Sequence, residues 1–114
     1  MEEIHLNNSV QEAHYILKQV KKYFKPGIKA RYYILVVNDR FDHTFNFFFN
    51  IFKPKHFSRS IPLHRIKCYS LDYLENLIKE LQQETQLTIN FVLFENQRWP
   101  STNQLISYKR SVKD

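Results

Sequence analysis

The 114-residue chain contains one cysteine, Cys68, and one glycine, Gly27. A single cysteine excludes an internal disulfide and a zinc site built from several thiolates, and it is consistent with a reducing compartment. Ordinary glycine use of about 7% would give about eight glycines in a chain of this length. Loops that hold phosphate against the backbone need several glycines, so their scarcity argues against nucleotide-dependent enzymes.

Long apolar runs are also missing. The longest clear run, YYILVV at 32–37, has the length of a strand and is far short of the roughly 18 residues that a membrane span requires. The chain starts with MEEIHLNN, which is acidic and polar where a secretory signal has a basic region followed by an apolar one. We therefore expect a cytoplasmic protein that has no membrane partner.

Acidic residues are scarce in the first part of the chain. The stretches 13–38 and 43–71 contain none, and residues 1–67 carry a formal net charge of +7, whereas residues 68–114 carry −1. A field of one sign attracts polyanions, although it does not determine a fold. The charge pattern therefore bears on the partner of the protein.

The overall composition is biased as well. Phe, Tyr, Asn, Lys and Ile account for 47 residues, whereas Gly, Ala, Pro and Arg account for 13. The abundant types have AT-rich codons and the rare types have GC-rich codons. An AT-rich host genome and a mobile element such as a phage or plasmid explain this bias equally well.

Length and composition predict one α+β domain over residues 1–114, with 43% apolar and 25% charged residues. It consists of a basic segment 13–67, a near-neutral segment 68–108 and a frayed tail 109–114. The predicted fold is a mixed sheet of about four strands packed by two or three helices. Its elements are expected in the order α, β, α, β, α, β, β.

The first two elements have clear signals. Ser9 and Glu12 have capping-box spacing, which predicts a helix from about Val10 to the KPG at 25–27. The apolar face of this helix is predicted to contain Val10, Ala13, Leu17, Val20 and Phe24. Residues 30–38 are β-branched and aromatic with little alternation, which is typical of a strand that lies in the centre of a sheet and is buried on both faces.

The segment 41–53, FDHTFNFFFNIFK, contains six phenylalanines. At the helical period Phe41, Phe45, Phe48 and Phe52 fall on one side, and at the strand period Phe45 and its alternate neighbours do. The helical period leaves fewer rings outside the apolar side, so we expect a helix. Because burial of each ring contributes roughly 1.5–3 kcal/mol, we expect most of these rings in the core.

The remaining elements follow from alternation and capping signals. Residues 54–62 are a loop between prolines, and 63–69 are predicted to be a strand that includes Cys68 as a small core residue. Ser70 is the candidate N-cap of a helix to about residue 84. Two further strands are expected at 87–95 and 105–109.

Candidate binding residues are basic side chains and one tryptophan. Point charges of this kind suit backbone phosphates, and an aromatic plane beside a cation suits a base or a protein interface. A solvated helix surface and a tryptophan folded onto the sheet explain the same residues about equally well. The candidates are Lys18, Lys21, Lys22, Lys25, Lys29, Arg31, Lys53, Lys55, Arg59, Arg98 and Trp99.

Signals for catalysis are weak. Five histidines show no spacing that would place two imidazoles on one metal. Asp39, Asp42 and His43 follow the central strand, and together with Glu95 at the end of another strand they are candidate ligands for a divalent metal. Acids at Asp39 and Asp42 also suit the start of a helix. We predict no cofactor and no catalytic residue.

These patterns favour a small non-enzymatic protein that binds nucleic acid or a nucleoprotein complex through a basic surface. The alternative is a protein-directed inhibitor, such as an immunity protein or a phage anti-defence protein of the anti-CRISPR type, that docks on an acidic protein. A third hypothesis is a metal-dependent nuclease that uses Asp39, Asp42 and Glu95.

Overall fold

The computed structural model describes residues 8–24, 30–53, 58–106 and 109–110. The protein is an α+β domain, as predicted, with two helices on one mixed sheet. The strands lie in the order β3-β2-β1-β4-β5, with β1 parallel to β4 and the other neighbours antiparallel. The elements are α1 Ser9–Tyr23, β1 Arg31–Asp39, β2 Thr44–Phe52, β3 Arg59–Ile66, α2 Leu71–Glu84, β4 Thr88–Val92 and β5 Lys109–Arg110.

The predicted helix at 41–53 is wrong, because residues 44–52 form strand β2. This strand lies between β1 and β3, so both of its edges are paired. Phe45, Phe47 and Phe49 are buried, and Phe48 is half-buried. Phe41 is 98% exposed and Phe52 is 43% exposed, so half of the six rings, rather than most, are in the core. The element order is therefore α, β, β, β, α, β, β.

The turn between β1 and β2 explains why strand β2 can follow so soon after β1 ends. Asp39 Oδ1 accepts hydrogen bonds from the backbone N–H groups of Phe41 and Asp42, each at 3.1 Å, which closes a tight turn. His43 has φ of 55°, a left-handed conformation that reverses the chain direction. The chain then pairs Asp39 with Thr44 and continues to pair back along β1.

The two faces of the sheet differ. One face packs on the helices and contains the buried strand residues, and we call the other the open face. Strand β1 is central, as predicted, but it is not buried on both faces, because its buried and half-buried residues alternate. The core contains side chains from both helices, from four strands and from the segment after β4, namely Ala13, Ile16, Val20, Ile34, Val36, Phe45, Phe47, Phe49, Ile51, Ile61, Leu63, Ile66, Leu74, Leu77, Ile78, Leu81, Ile89, Phe91, Phe94 and Ile106.

Helix α1 starts one residue earlier than predicted, because the side chain of Asn8, not Ser9, accepts the hydrogen bond from Gln11 N. Its buried face also differs from the prediction. Ile16 is buried, whereas Val10 and Phe24 at the two ends of the helix are exposed. The helix is therefore rotated towards Ile16 relative to the apolar face that the sequence predicted.

Helix α2 matches its prediction closely. Ser70 is the N-cap, and its side chain accepts a hydrogen bond from Tyr73 N at 3.4 Å. Strand β3 starts at Arg59, within the predicted loop, and ends at Ile66. Cys68 consequently lies after the strand and is exposed, so the prediction of a core cysteine is wrong.

The C-terminal region has less strand than expected. Strand β4 ends at Val92 because Leu93 takes φ of 68°, which is incompatible with a continued strand. Leu105 forms an isolated bridge with Arg98, and the last strand contains only residues 109–110. Part of the predicted tail, 111–114, lies outside the described residues. None of the described helices has the length and hydropathy to cross a membrane.

Candidate functional site

Six of the predicted basic residues lie towards one end of the domain. Arg31 starts β1 and pairs with Phe52, which ends β2, while Lys53 follows Phe52. Arg59 starts β3 and pairs with Ile51, so three strands bring cations to the same end of the sheet. Helix α1 also finishes there, since the ring of its C-cap Phe24 lies 4.7 Å from that of Tyr32. We call the set Lys18, Lys21, Lys22, Arg31, Lys53 and Arg59 the basic end.

The cations of the basic end are available for a ligand. Within the described part of the chain, none of the six takes part in a salt bridge or donates a side-chain hydrogen bond. All are exposed apart from Lys53, which is half-buried. The predicted site residues Lys25, Lys29 and Lys55 lie outside the described residues.

The open face starts at the basic end. Its residues follow from strand alternation and register. None of them is buried except Thr44, and Asp39 is the only carboxylate in the set. The face consists of Arg31, Tyr33, Leu35, Val37 and Asp39 from β1, Thr44, Asn46, Phe48, Asn50 and Phe52 from β2, Ser60, Pro62 and Arg65 from β3, and Thr88, Asn90 and Val92 from β4.

Three rings on this face, Tyr33, Phe48 and Phe52, form an aromatic row on the two central strands. Tyr33 pairs with Asn50, so Phe48 and Phe52 are its two diagonal neighbours on β2. Among the described residues, none of the three rings packs on another aromatic ring. This row was not predicted because residues 41–53 were expected to be helical, although strand alternation was the signal that could have revealed it.

Hydrogen bonds hold the polar side chains of the open face in place. Asn50 Nδ2 donates to the Tyr33 hydroxyl at 3.0 Å, and Ser60 Oγ donates to Asn50 Oδ1 at 2.7 Å. Arg65 Nε donates to Asn46 Oδ1 at 3.2 Å, which leaves the other guanidinium N–H groups for a ligand. These bonds connect three neighbouring strands, so the Tyr33 ring and the Arg65 cation are fixed before any ligand arrives.

Arg98 and Trp99 do not join the basic end. They follow β4, whose last residues lie beside the end of the parallel strand β1, at the opposite end of the sheet from Arg31. The half-buried Trp99 ring packs edge-to-face on Phe91 with centroids 5.4 Å apart. Arg98 donates to Asn103 O at 2.8 Å. The tryptophan ring is thus folded onto the core, which is one of the two arrangements that the sequence left open.

The carboxylates of the nuclease hypothesis are engaged separately. Asp39 Oδ1 accepts the two turn N–H bonds, and Glu95 forms a bidentate pair with Arg40 at 2.9 and 3.2 Å. Within the described ranges, one group of three side chains has its potential metal-binding atoms within 4.8 Å of one another, and it consists of His14, Glu80 and Glu84. His14 Nε2 lies 3.1 Å from Glu80 Oε2, and a hydrogen bond between the two helices accounts for this contact. Asp39, Asp42 and Glu95 therefore do not form a three-carboxylate cluster.

A pocket of about 380 Å³ lies between the second half of α1 and the segment that connects the end of α2 to β4. Leu17, Val20, Phe24 and Leu87 make most of its wall apolar, and Lys21 and Glu84 lie at its edge together with Thr85 and Gln86. It brings together no set of polar groups that would fix the orientation of a small molecule. The pocket therefore carries no functional assignment.

One buried carboxylate ties three elements together. Glu12 of α1 accepts a hydrogen bond from the Tyr73 hydroxyl at 2.5 Å, and its other oxygen lies 2.7 Å from His64 Nε2 of β3. Burial raises the pKa of the Tyr73 phenol, and the hydrogen bond and negative charge of Glu12 raise it further. No local pattern signals this cluster, since His64 and Tyr73 are separated from Glu12 by 52 and 61 positions.

The chain was compared with known proteins in three ways. No protein-family model, no curated protein and no solved structure matches it. The functional assignment therefore depends on the geometry of the basic end and the open face.

Proposed function

We propose that the protein binds nucleic acid, with the phosphate backbone held by the basic end. The observation that carries this proposal is the set of six cations at one end of the domain that have no acidic partner among the described residues. The one lysine or arginine ion pair of the described ranges, Arg40 with Glu95, lies at the opposite end. Positive charge is thus left unneutralised at one end of the molecule.

Unpaired cations of this kind suit phosphates for a physical reason. Each phosphate that a lysine or arginine neutralises releases condensed counterions, which makes binding favourable at low salt. If about five phosphates are neutralised, log K should fall against log salt with a slope near −4 for duplex DNA and about −3.5 for single strands. Such contacts give affinity without sequence preference.

The test is fluorescence anisotropy with labelled DNA and RNA over a salt series. A variant with Lys18, Lys21 and Lys22 changed to Gln should bind more weakly and show a salt slope reduced by about one for each phosphate contact that is lost. Lys79→Gln is the matched control, because Lys79 is an exposed lysine on the other helix and lies outside the basic end. It should leave both affinity and slope unchanged.

Two results would contradict the proposal. One is the absence of any complex at low salt with single strands and duplexes of either nucleic acid. The other is a loss of binding per removed charge that is the same in the triple variant and in the Lys79→Gln control, which would mean that the affinity depends on total charge and not on the basic end.

The second candidate is a protein-directed inhibitor, which the apolar middle of the open face favours. Leu35, Val37 and Val92 are half-buried there, and Pro62 is exposed. A surface with an apolar centre and cations at its rim also suits an acidic protein target. A pull-down from a nuclease-treated lysate separates the candidates, because retention of one stoichiometric protein supports inhibition and loss of all partners supports nucleic acid.

A further inference from the structure

We propose that the open face is a stacking surface for unpaired bases, so that the nucleic acid bound by this protein is single-stranded. This inference rests on the proposed function and specifies the form of its ligand. The aromatic row of Tyr33, Phe48 and Phe52 would receive the bases, while Arg31, which pairs with Phe52, would contact the adjoining phosphate.

The spacing of the row fits a strand with separated bases. Diagonal neighbours on antiparallel strands lie about 7–8 Å apart, which is the relation of Tyr33 to both Phe48 and Phe52. That separation is about twice the 3.4 Å rise between stacked bases. Successive rings therefore suit successive bases of an extended strand, and they do not suit bases that remain stacked on each other.

Only a single strand can use such a row. In a duplex the faces of each base are covered by its neighbours, so side chains reach only base edges and phosphates. An unpaired base exposes its π-face and stacks on aromatic side chains regardless of its identity. The rings stand on strands of the sheet rather than on loops, and the Tyr33 hydroxyl is held by Asn50, so little ordering is needed on binding.

Polar groups beside the row match the edges and backbone of an unpaired strand. Asn46, Asn50 and Asn90 place amide groups next to the rings. Besides Arg31 on β1, the face has a second cation in Arg65 on β3. Asp39 is the one carboxylate of the open face and lies at the end of β1 opposite Arg31, so the rest of the face has no carboxylate that would repel phosphates.

The experiment compares Phe52→Ala with Phe41→Ala, two removals of the same ring type. Phe52 belongs to the row, whereas Phe41 is fully solvated in the turn at the opposite end of the sheet. Anisotropy is measured with labelled oligo(dT), oligo(U) and a DNA duplex of equal length. We expect Phe52→Ala to weaken binding to the single strands about tenfold and to leave duplex binding and the salt slope unchanged. Phe41→Ala should change nothing.

Tyr33→Ala and Tyr33→Phe provide a second test at the centre of the row. The phenylalanine variant keeps the ring and should retain single-strand affinity, whereas the alanine variant should lose about tenfold. Circular dichroism checks that both are folded. The affinities for oligo(dT) and oligo(U) show whether DNA or RNA is preferred.

The failures can be told apart. Equal affinity for single strands and duplex, with no effect of Phe52→Ala or Tyr33→Ala, would overturn the stacking surface and leave the basic end as the binding site. No binding to any nucleic acid would overturn both proposals. Loss of single-strand binding in Phe41→Ala to the same extent as in Phe52→Ala would also contradict the role of the row.

Discussion

Replacement of Tyr73 by phenylalanine removes one of the two hydrogen bonds that the buried Glu12 carboxylate receives. Glu12 is 8% exposed, so water cannot fully replace the phenol. A hydrogen bond to a charged group contributes about 1.5–3 kcal/mol to stability, and we expect Tyr73→Phe to lower the free energy of unfolding by that amount. For a domain of this size the melting temperature should fall by about 6–12 °C.

Urea denaturation at pH 7, followed by circular dichroism, measures this change. Tyr23→Phe is the matched control, because Tyr23 is an exposed tyrosine on α1 and its hydroxyl makes no described hydrogen bond. It should stay within about 0.5 kcal/mol of the parent protein. If Tyr73→Phe also stays within that limit, the bond to Glu12 does not stabilise the packing of α1 on α2, and the reasoning is refuted.

Three further outcomes are expected. Because the folded-state pKa of Tyr73 is raised, its contribution to stability is complete below about pH 10 and is lost as the pH rises further. Above about pH 10 the urea midpoint should therefore fall less steeply in Tyr73→Phe than in the parent protein. Trp99→Ala should lower stability by about 2 kcal/mol, since a half-buried ring on Phe91 is lost, and should leave the affinity for nucleic acid unchanged. Phe47→Ala should cost about 3–5 kcal/mol in unfolding experiments because Phe47 is buried, whereas Phe41→Ala should cost less than about 0.5 kcal/mol; equal effects would contradict the assignment of residues 44–52 to a strand.

The segment 41–53 illustrates why the sequence predicted the fold class correctly and one element wrongly. Its phenylalanines satisfy both periods, since Phe45 belongs to the apolar side in either case. What decides between them is the pairing of Phe47 with Val36 on one side and His64 on the other, and neither partner can be identified from local residues. Elements whose apolar residues fit only one period, such as α2, were predicted with nearly correct bounds.

The candidate site was predictable only in part. The basic residues were visible in the sequence, but the gathering of the strand residues at one end follows from two strand pairings, which bring Arg31 opposite Phe52 and Arg59 opposite Ile51. The sequence left two arrangements open for Trp99, and its contact with Phe91 could not be predicted because it is made by a loop that returns to the core. The open face could not be recognised until residues 44–52 were assigned to a strand.

Backbone amide chemical shifts, recorded by NMR while oligo(dT) is titrated into the protein, test the central claim most directly. We predict shifts that concentrate on β1 and β2 around Tyr33 and Phe52 and on the second half of α1, with the Arg98–Trp99 loop unchanged. Shifts confined to that loop, or no shifts at an excess of oligonucleotide in low salt, would contradict the claim that the open face and the basic end together bind single-stranded nucleic acid.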